Sequence, residues 1–301
     1  MLPAPGEPQV DAVRYGPGMA RYPLGGTGVW SPHLRYSDPA EITDAAAELE
    51  ELGYSAVWIP DPGGDVFGAL DLLLDATSTM TVASGILNVW QHHPAEVLRW
   101  WEGLADERRQ RTLLGLGVSH AALIGDTWGH PMAVMIRFLD GLDAGGFPLD
   151  RRCLAALGPK MLELARERSA GAHPYLVTPE HTARSRAILG DALLAVEQGV
   201  VLEADPERAR SIARQTLATY ATLPNYTRNW KRLGFTDEDV ERLSERLVDA
   251  IVAWGDVDAI AARVDEHRTA GADHVCIQVL DEPESPMNRA AWRALAPALV
   301  G

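Results

Sequence analysis

The sequence predicts an α/β fold, a (β/α)8 TIM barrel with a helical insertion before its eighth strand. From Gly26 onward, short apolar, β-branched runs alternate with longer segments of helical period, joined by Gly, Pro and Asp. Eight such units stand in series, which favours a closed barrel over an open doubly wound sheet. No composition break marks a second domain, and barrels of roughly this length form one unit. Residues 1–25 carry Pro3, Pro5, Pro8, Pro17 and Pro23 and are expected to be an extension on the surface; residues 26–301 form the barrel.

The first strand is Gly28-Val29-Trp30. Asp38-Pro39-Ala40-Glu41 then opens a helix, because Asp38 can accept from the free amides, Pro39 suits the first position and Glu41 the positive end. That helix should reach Leu52 and stop at Gly53, before the strand Ala56–Ile59. Later strands read 80–83, 113–116, 153–156, 172–175, 193–196 and 274–278. Helices are expected at 94–107, 132–142, 160–170, 179–189, 205–220, 257–270 and 288–299, with Thr178-Pro179 and Asp205-Pro206 repeating the start signal. The stretch 223–253 exceeds one unit and is the expected insertion.

With 27 basic and 42 acidic residues the net charge is −15, a field that repels phosphate backbones and anionic lipids, so neither nucleic acid nor a membrane is an expected partner. No apolar run approaches the roughly 20 residues of a membrane span, and the proline-rich start does not resemble a signal peptide; the expectation is a cytoplasmic protein. Cys153 and Cys276 have no metal or redox spacing. His92 and His93 are adjacent, so on an extended segment they face opposite ways; without a recognised histidine motif no metal is predicted.

In a barrel of this kind function belongs to the carboxyl ends of the strands. Those ends offer aromatic and His side chains but few paired carboxylates, against a glycosidase. Gly115-Leu116-Gly117-Val118-Ser119-His120 lacks the second glycine of a serine-hydrolase elbow. Its glycines either leave backbone bare for a flat ligand or make room for a neighbouring side chain. Leu157-Gly158-Pro159-Lys160-Met161 reads as an anion site, a helix start with free amides and one of only two lysines, or as a plain turn with a solvated lysine.

Together these segments resemble the bacterial luciferase-like superfamily of flavin and deazaflavin barrels, in its coenzyme F420 branch. The matching pieces are 52–61, 83–88 with His93-Pro94, 114–120, 157–165 and 270–275, in order along the barrel. The resemblance implies an F420-dependent oxidoreductase, often a homodimer, that moves a hydride to or from a small to medium, partly apolar organic substrate. It implies that Asp61 hydrogen-bonds the cofactor edge near its reactive ring; Asp61 and His120 are the candidate catalytic residues. It also implies a non-prolyl cis peptide within Ser84-Gly85-Ile86, preferred at Gly85–Ile86 although Ser84–Gly85 aligns as directly. Asn88, Gly117, Val118, Ser119 and His120 would line the cofactor, while Gly158, Pro159, Lys160 and Met161 would hold its phosphate.

Two departures limit the analogy. Asp61-Pro62 stands where the family's sugar-phosphate dehydrogenases have Asp-His, and His120 stands where they have Glu. His120 can serve as proton donor or acceptor, or pack against Trp128 in a loop. Trp30, His33, Trp90, His92, Trp128 and Tyr175 are the candidate substrate pocket, each aromatic being otherwise core. The alternatives are an FMN-dependent monooxygenase of the same superfamily and a cofactor-free accessory subunit.

Overall fold

A computed structural model describes residues 22–119, 124, 129–282 and 285–300. Eight parallel strands close on themselves: β1 (Thr27–Trp30), β2 (Ala56–Ile59), β3 (Thr81–Asn88), β4 (Thr112–Gly117), β5 (Arg152–Leu154), β6 (Gly171–Ala172), β7 (Leu193–Val201) and β9 (His274–Val279), with β9 back beside β1. β8 (Ala253–Trp254) is a two-residue addition paired with the far end of β7. The predicted fold class is therefore borne out.

The helices follow from local chemistry. After the single turn α1 (His33–Tyr36), Asp38 caps α2 (Pro39–Glu51) through the Ala40 amide. α3 (Val66–Ala76) is capped by Asp65 and was not foreseen. The helix expected at 94–107 breaks into α4 (Pro94–Gly103) and α5 (Asp106–Gln110), since Gly103 ends one helix and Asp106-Glu107 suit the start of the next. α6 (Pro131–Ala144), α7 (Pro159–Arg168), α8 (Pro179–Leu189) and α9 (Pro206–Tyr220) follow, with Thr178 and Asp205 capping the last two as expected. The insertion is α10 (Pro224–Arg232), α11 (Asp237–Arg242) and α12 (Glu245–Ile251), ahead of α13 (Val257–Thr269) and α14 (Arg289–Leu299).

Strand alternation divides the core. Trp58, Leu113, Cys153, Leu193, Ala195 and Cys276 fill the lumen over Tyr22 and Leu24, whereas the opposite strand faces pack under the helices. A third apolar cluster, including Tyr226, Trp230 and Leu280, roofs the end of β7 under the insertion. β3 and β7 run past their expected ends at Ala83 and Val196, which brings Asn88 and Glu197 into the strands. No described helix is long and apolar enough to cross a membrane.

Candidate active site

The carboxyl end of β2 presents Asp61, whose side chain is wholly buried. One oxygen accepts from Arg35 at 3.2 Å; the other accepts from the Asn88 amide at 3.1 Å and His92 Nε2 at 2.9 Å. Arg35 also donates to the Gly63 carbonyl at 2.7 Å. His92 Nδ1 reaches Glu96 at 3.1 Å, so both ring nitrogens face carboxylates. Burial pulls the His92 titration down, but the hydrogen bonds to Asp61 and Glu96 outweigh it and hold it above the ordinary histidine value. His93 instead turns outward and caps α4 through the Ala95 amide. The role this geometry gives Asp61 is to fix Arg35 and His92.

Next to it, β3 bulges between Ser84 and Leu87, and the Gly85–Ile86 peptide is cis. Trp30 Nε1 donates to the Gly85 carbonyl at 2.7 Å. The glycines of β4 are explained by this bulge rather than by an open shelf. A Cβ on Gly115 would lie 2.1 Å from the Ser84 carbonyl, and one on Gly117 would lie 2.4 Å from the Ile86 side chain. Ile86 thus occupies the space that the missing Gly117 side chain leaves. Beyond β4, Val118 accepts from the Trp90 indole at 2.7 Å, and Ser119 adopts a left-handed φ of 54°. His120 and Trp128 lie outside the described residues.

At the end of β5, Gly158 starts α7 with no capping side chain and no acid in the first turn, leaving its positive end unneutralised. Lys160 is exposed there. The Arg232 guanidinium, from the insertion, sits 3.7 Å from where a Gly158 Cβ would be. Sequence reasoning missed Arg232, because nothing local marks which of many arginines folds back onto this turn.

The remaining groups converge from β6, β7 and β9. Tyr220 OH donates to Tyr175 OH at 3.2 Å, and Tyr175 OH donates to Gln278 Oε1 at 2.7 Å. Trp30 packs on Tyr175 with centroids 5.6 Å apart, so these two predicted pocket residues meet, whereas Trp90 and His92 belong to the β3–β4 side. His33 opens α1, where its backbone amide donates to Ser31 Oγ at 3.2 Å. Glu197, also unforeseen, lies fully buried beneath Tyr175; its signal was a lone ionisable residue inside the apolar run 193–201.

Residues 24–144 match the family model described as luciferase-like monooxygenase. No curated protein matches. Among solved structures, an F420-dependent secondary alcohol dehydrogenase in complex with an F420-acetone adduct superposes with a TM-score of 0.71 at 13% identity, covering 91% of this chain and 99% of its own. The coenzyme F420-dependent tetrahydromethanopterin reductase of Methanopyrus kandleri gives 0.65 at 16%, covering 92% and 98%. The oxygenating constituent of 3,6-diketocamphane monooxygenase of Pseudomonas putida, in complex with FMN, gives 0.63 at 13%, covering 92% and 98%. At such identities these likenesses speak to the fold.

Proposed function

We propose that the protein is an F420-dependent oxidoreductase acting on a small to medium, partly apolar organic substrate. The observation that carries this reading is the anion cradle at Gly158: an uncapped helix start, a bare Cα, exposed Lys160 and the Arg232 guanidinium beside it. Those groups fit a phosphate. Two of the superposed proteins are F420-dependent, and the segments 52–61 and 157–165 carry the resemblance to that branch.

A bound deazaflavin supplies hydride chemistry, carbon standing where a flavin has its reactive nitrogen. The chain's task is alignment. Gly158, Pro159, Lys160, Met161 and Arg232 hold the phosphate, Ile86 and Gly117 to Ser119 bound the ring, and Trp30 and Tyr175 wall the substrate side. His120 is the proposed proton donor or acceptor. The proposal extends to a homodimer, which sedimentation of the purified protein checks.

FMN is the second reading, favoured by the monooxygenase family model, and its phosphate suits the same cradle. Fluorescence titration with oxidised F420 and with FMN decides. Micromolar or tighter F420 binding with FMN ignored is expected; the converse would establish the monooxygenase reading, and binding of neither would leave the accessory-subunit reading.

A further inference from the structure

The His92 imidazole is committed at both nitrogens. Its Nε2 lies 2.9 Å from Asp61 Oδ2 and its Nδ1 lies 3.1 Å from Glu96 Oε2. A neutral imidazole carries one N–H and can donate to only one of two carboxylates, so both contacts are hydrogen bonds only in the imidazolium. The titratable and charged groups that face the ring are Asp61 after β2, Glu96 in the first turn of α4 and, across Asp61, Arg35 of α1, which is 3.2 Å from the other carboxylate oxygen. α3 contributes the Phe67 ring, edge-on with centroids 5.3 Å apart, which carries no charge. The Asp61 side chain is wholly buried, whereas that of Glu96 is 41% exposed.

This difference decides which bond survives when the ring loses a proton. Asp61 has no water to turn to, so the remaining N–H stays on Nε2; Glu96 can exchange the ring for solvent. Nδ1 then presents a bare lone pair to a carboxylate, and the Glu96 contact is lost. His92 belongs to the connection 89–93 between β3 and α4. The same connection carries Trp90, whose indole donates to the Val118 carbonyl at 2.7 Å and whose amide donates to Asn88 Oδ1 at 3.1 Å. The Gln91 amide donates to the Asn88 carbonyl at 3.0 Å, and the Asn88 amide donates to the Asp61 oxygen that His92 also uses. One ring thus ties the connection to β2 on one side and to α4 on the other.

We propose that His92 is a positioning residue of the barrel mouth: as imidazolium it pins the connection 89–93, with Trp90 and its bond to Val118, between Asp61 and Glu96, and as neutral imidazole it releases the Glu96 side. With both ring nitrogens taken, His92 acts on a ligand through Trp90 and not by touching it. The inference rests on the function proposed above only in taking Trp90 and Val118 as a rim of the site. The sign with pH follows from the partners. Burial lowers the ring's titration, but the bonds to Asp61 and Glu96 outweigh it and hold it above the ordinary 6.5, so the pin is whole below pH 6.5 and is lost as pH rises through the higher value.

Protein labelled with 15N-histidine tests the pin. One histidine, absent from the spectrum of His92→Gln, is expected to carry protons on both ring nitrogens at pH 6 and to titrate above 6.5 to the Nε2–H form. Amide exchange at Trp90 and Gln91, corrected for its intrinsic pH dependence, should quicken about fivefold across the same titration, the upper end for a half-exposed ion pair. Glu96→Gln separates positioning from packing, because its carboxamide can accept from Nδ1–H or donate to a bare Nδ1; exchange should stay slow on both sides of the titration. In Glu96→Ala it should be fast on both sides. A His92 ring that titrates at or below 6.5, or that keeps Nδ1–H when neutral, would overturn the proposal, as would parent exchange without a step or a step that survives in Glu96→Gln. The ring spectrum and exchange of the unsubstituted protein decide even where a variant does not fold. None of these readings uses F420, so a failed F420 titration removes the cofactor assignment and leaves the pin, and a missing step removes only the pin.

Discussion

The His173 imidazole lies flat on the Trp58 indole inside the barrel, ring centroids 4.2 Å apart and planes 10° from parallel. Trp58 Nε1 in turn donates to His274 Nε2 at 3.1 Å, and His267 is held between Thr182 and Gln198, at 2.8 Å from each. Burial pushes His173 and His274 down to about 4 and His267 down to about 3, from an ordinary 6.5. Folding therefore expels protons from these rings, and the stability that depends on their neutrality is intact above pH 6.5 and lost as pH falls toward 4. Urea unfolding from pH 7 down to pH 4.5 should show stability dropping by up to roughly 1.4 kcal/mol per pH unit for each ring. His173→Phe keeps the ring stack and should flatten that slope by one ring's share; an unchanged slope would mean that His173 is not buried neutral.

Glu197 has the opposite sign. Its folded titration, about 8, lies above the ordinary 4.5, so its contribution is present below pH 4.5 and is lost as pH rises through 8. Glu197→Gln should therefore gain stability relative to the parent as pH is raised from 5 to 8, by on the order of a few kcal/mol. Parallel stability curves for the two proteins over that range would contradict a buried neutral acid.

How much of this could be read beforehand depends on whether the cause was local. Asp38 and Thr178 announce their helices because cap and amide are neighbours in sequence, and the alternation of runs sufficed for the barrel. The helix break at Gly103 was missed, since Pro94 to Glu107 reads as one unbroken apolar stripe. Arg35 on Asp61, Arg232 on Gly158 and Glu197 beneath Tyr175 are meetings of distant segments, which no spacing encodes. Even Gly115 and Gly117, visible in the sequence as bare backbone, owe that bareness to Ser84 and Ile86 on the adjacent strand.

That adjacency separates two substitutions. Gly115→Ala drives a methyl group into the Ser84 carbonyl, a backbone atom that can move only with the strand, whereas Gly117→Ala meets the end of a flexible Ile86 side chain. Gly115→Ala should cost about 3 kcal/mol or more, and Gly117→Ala about 1 kcal/mol, as overpacking of rigid and yielding neighbours does. The pair Gly117→Ala with Ile86→Val should recover most of the smaller loss in thermal melts. Equal costs at the two glycines would refute this account of the bulge.

Asp61 offers a test of its structural role. Removing its charge leaves Arg35 buried beside a neutral amide and deprives His92 of one of its two carboxylates. Asp61→Asn should destabilise the fold by roughly 3–5 kcal/mol, the usual cost of breaking one side of a buried pair. The His92 titration should fall in the same variant, visible by proton NMR of its ring, because one of the bonds that raises it is gone. A variant with native stability and an unmoved His92 resonance would return Asp61 to the role of a free cofactor contact.

The proposed anion cradle is open to a binding test. The Arg232 guanidinium lies 3.7 Å from where a Gly158 Cβ would be, while Lys160 is exposed on the first turn of α7, so a phosphate seated over Gly158 would meet the guanidinium at closer quarters than the ammonium. A charge-assisted hydrogen bond contributes about 1.5–3 kcal/mol, or roughly ten- to more than hundredfold in affinity. Arg232→Ala should lose that much F420 affinity by fluorescence titration, and Lys160→Ala less, since its charge is solvated and screened. Raising the salt concentration should narrow the gap between the parent and both variants. Should Lys160→Ala prove the more damaging, the phosphate lies along the helix flank rather than over Gly158; should neither variant lose affinity, the cofactor is held elsewhere and the cradle is only a turn.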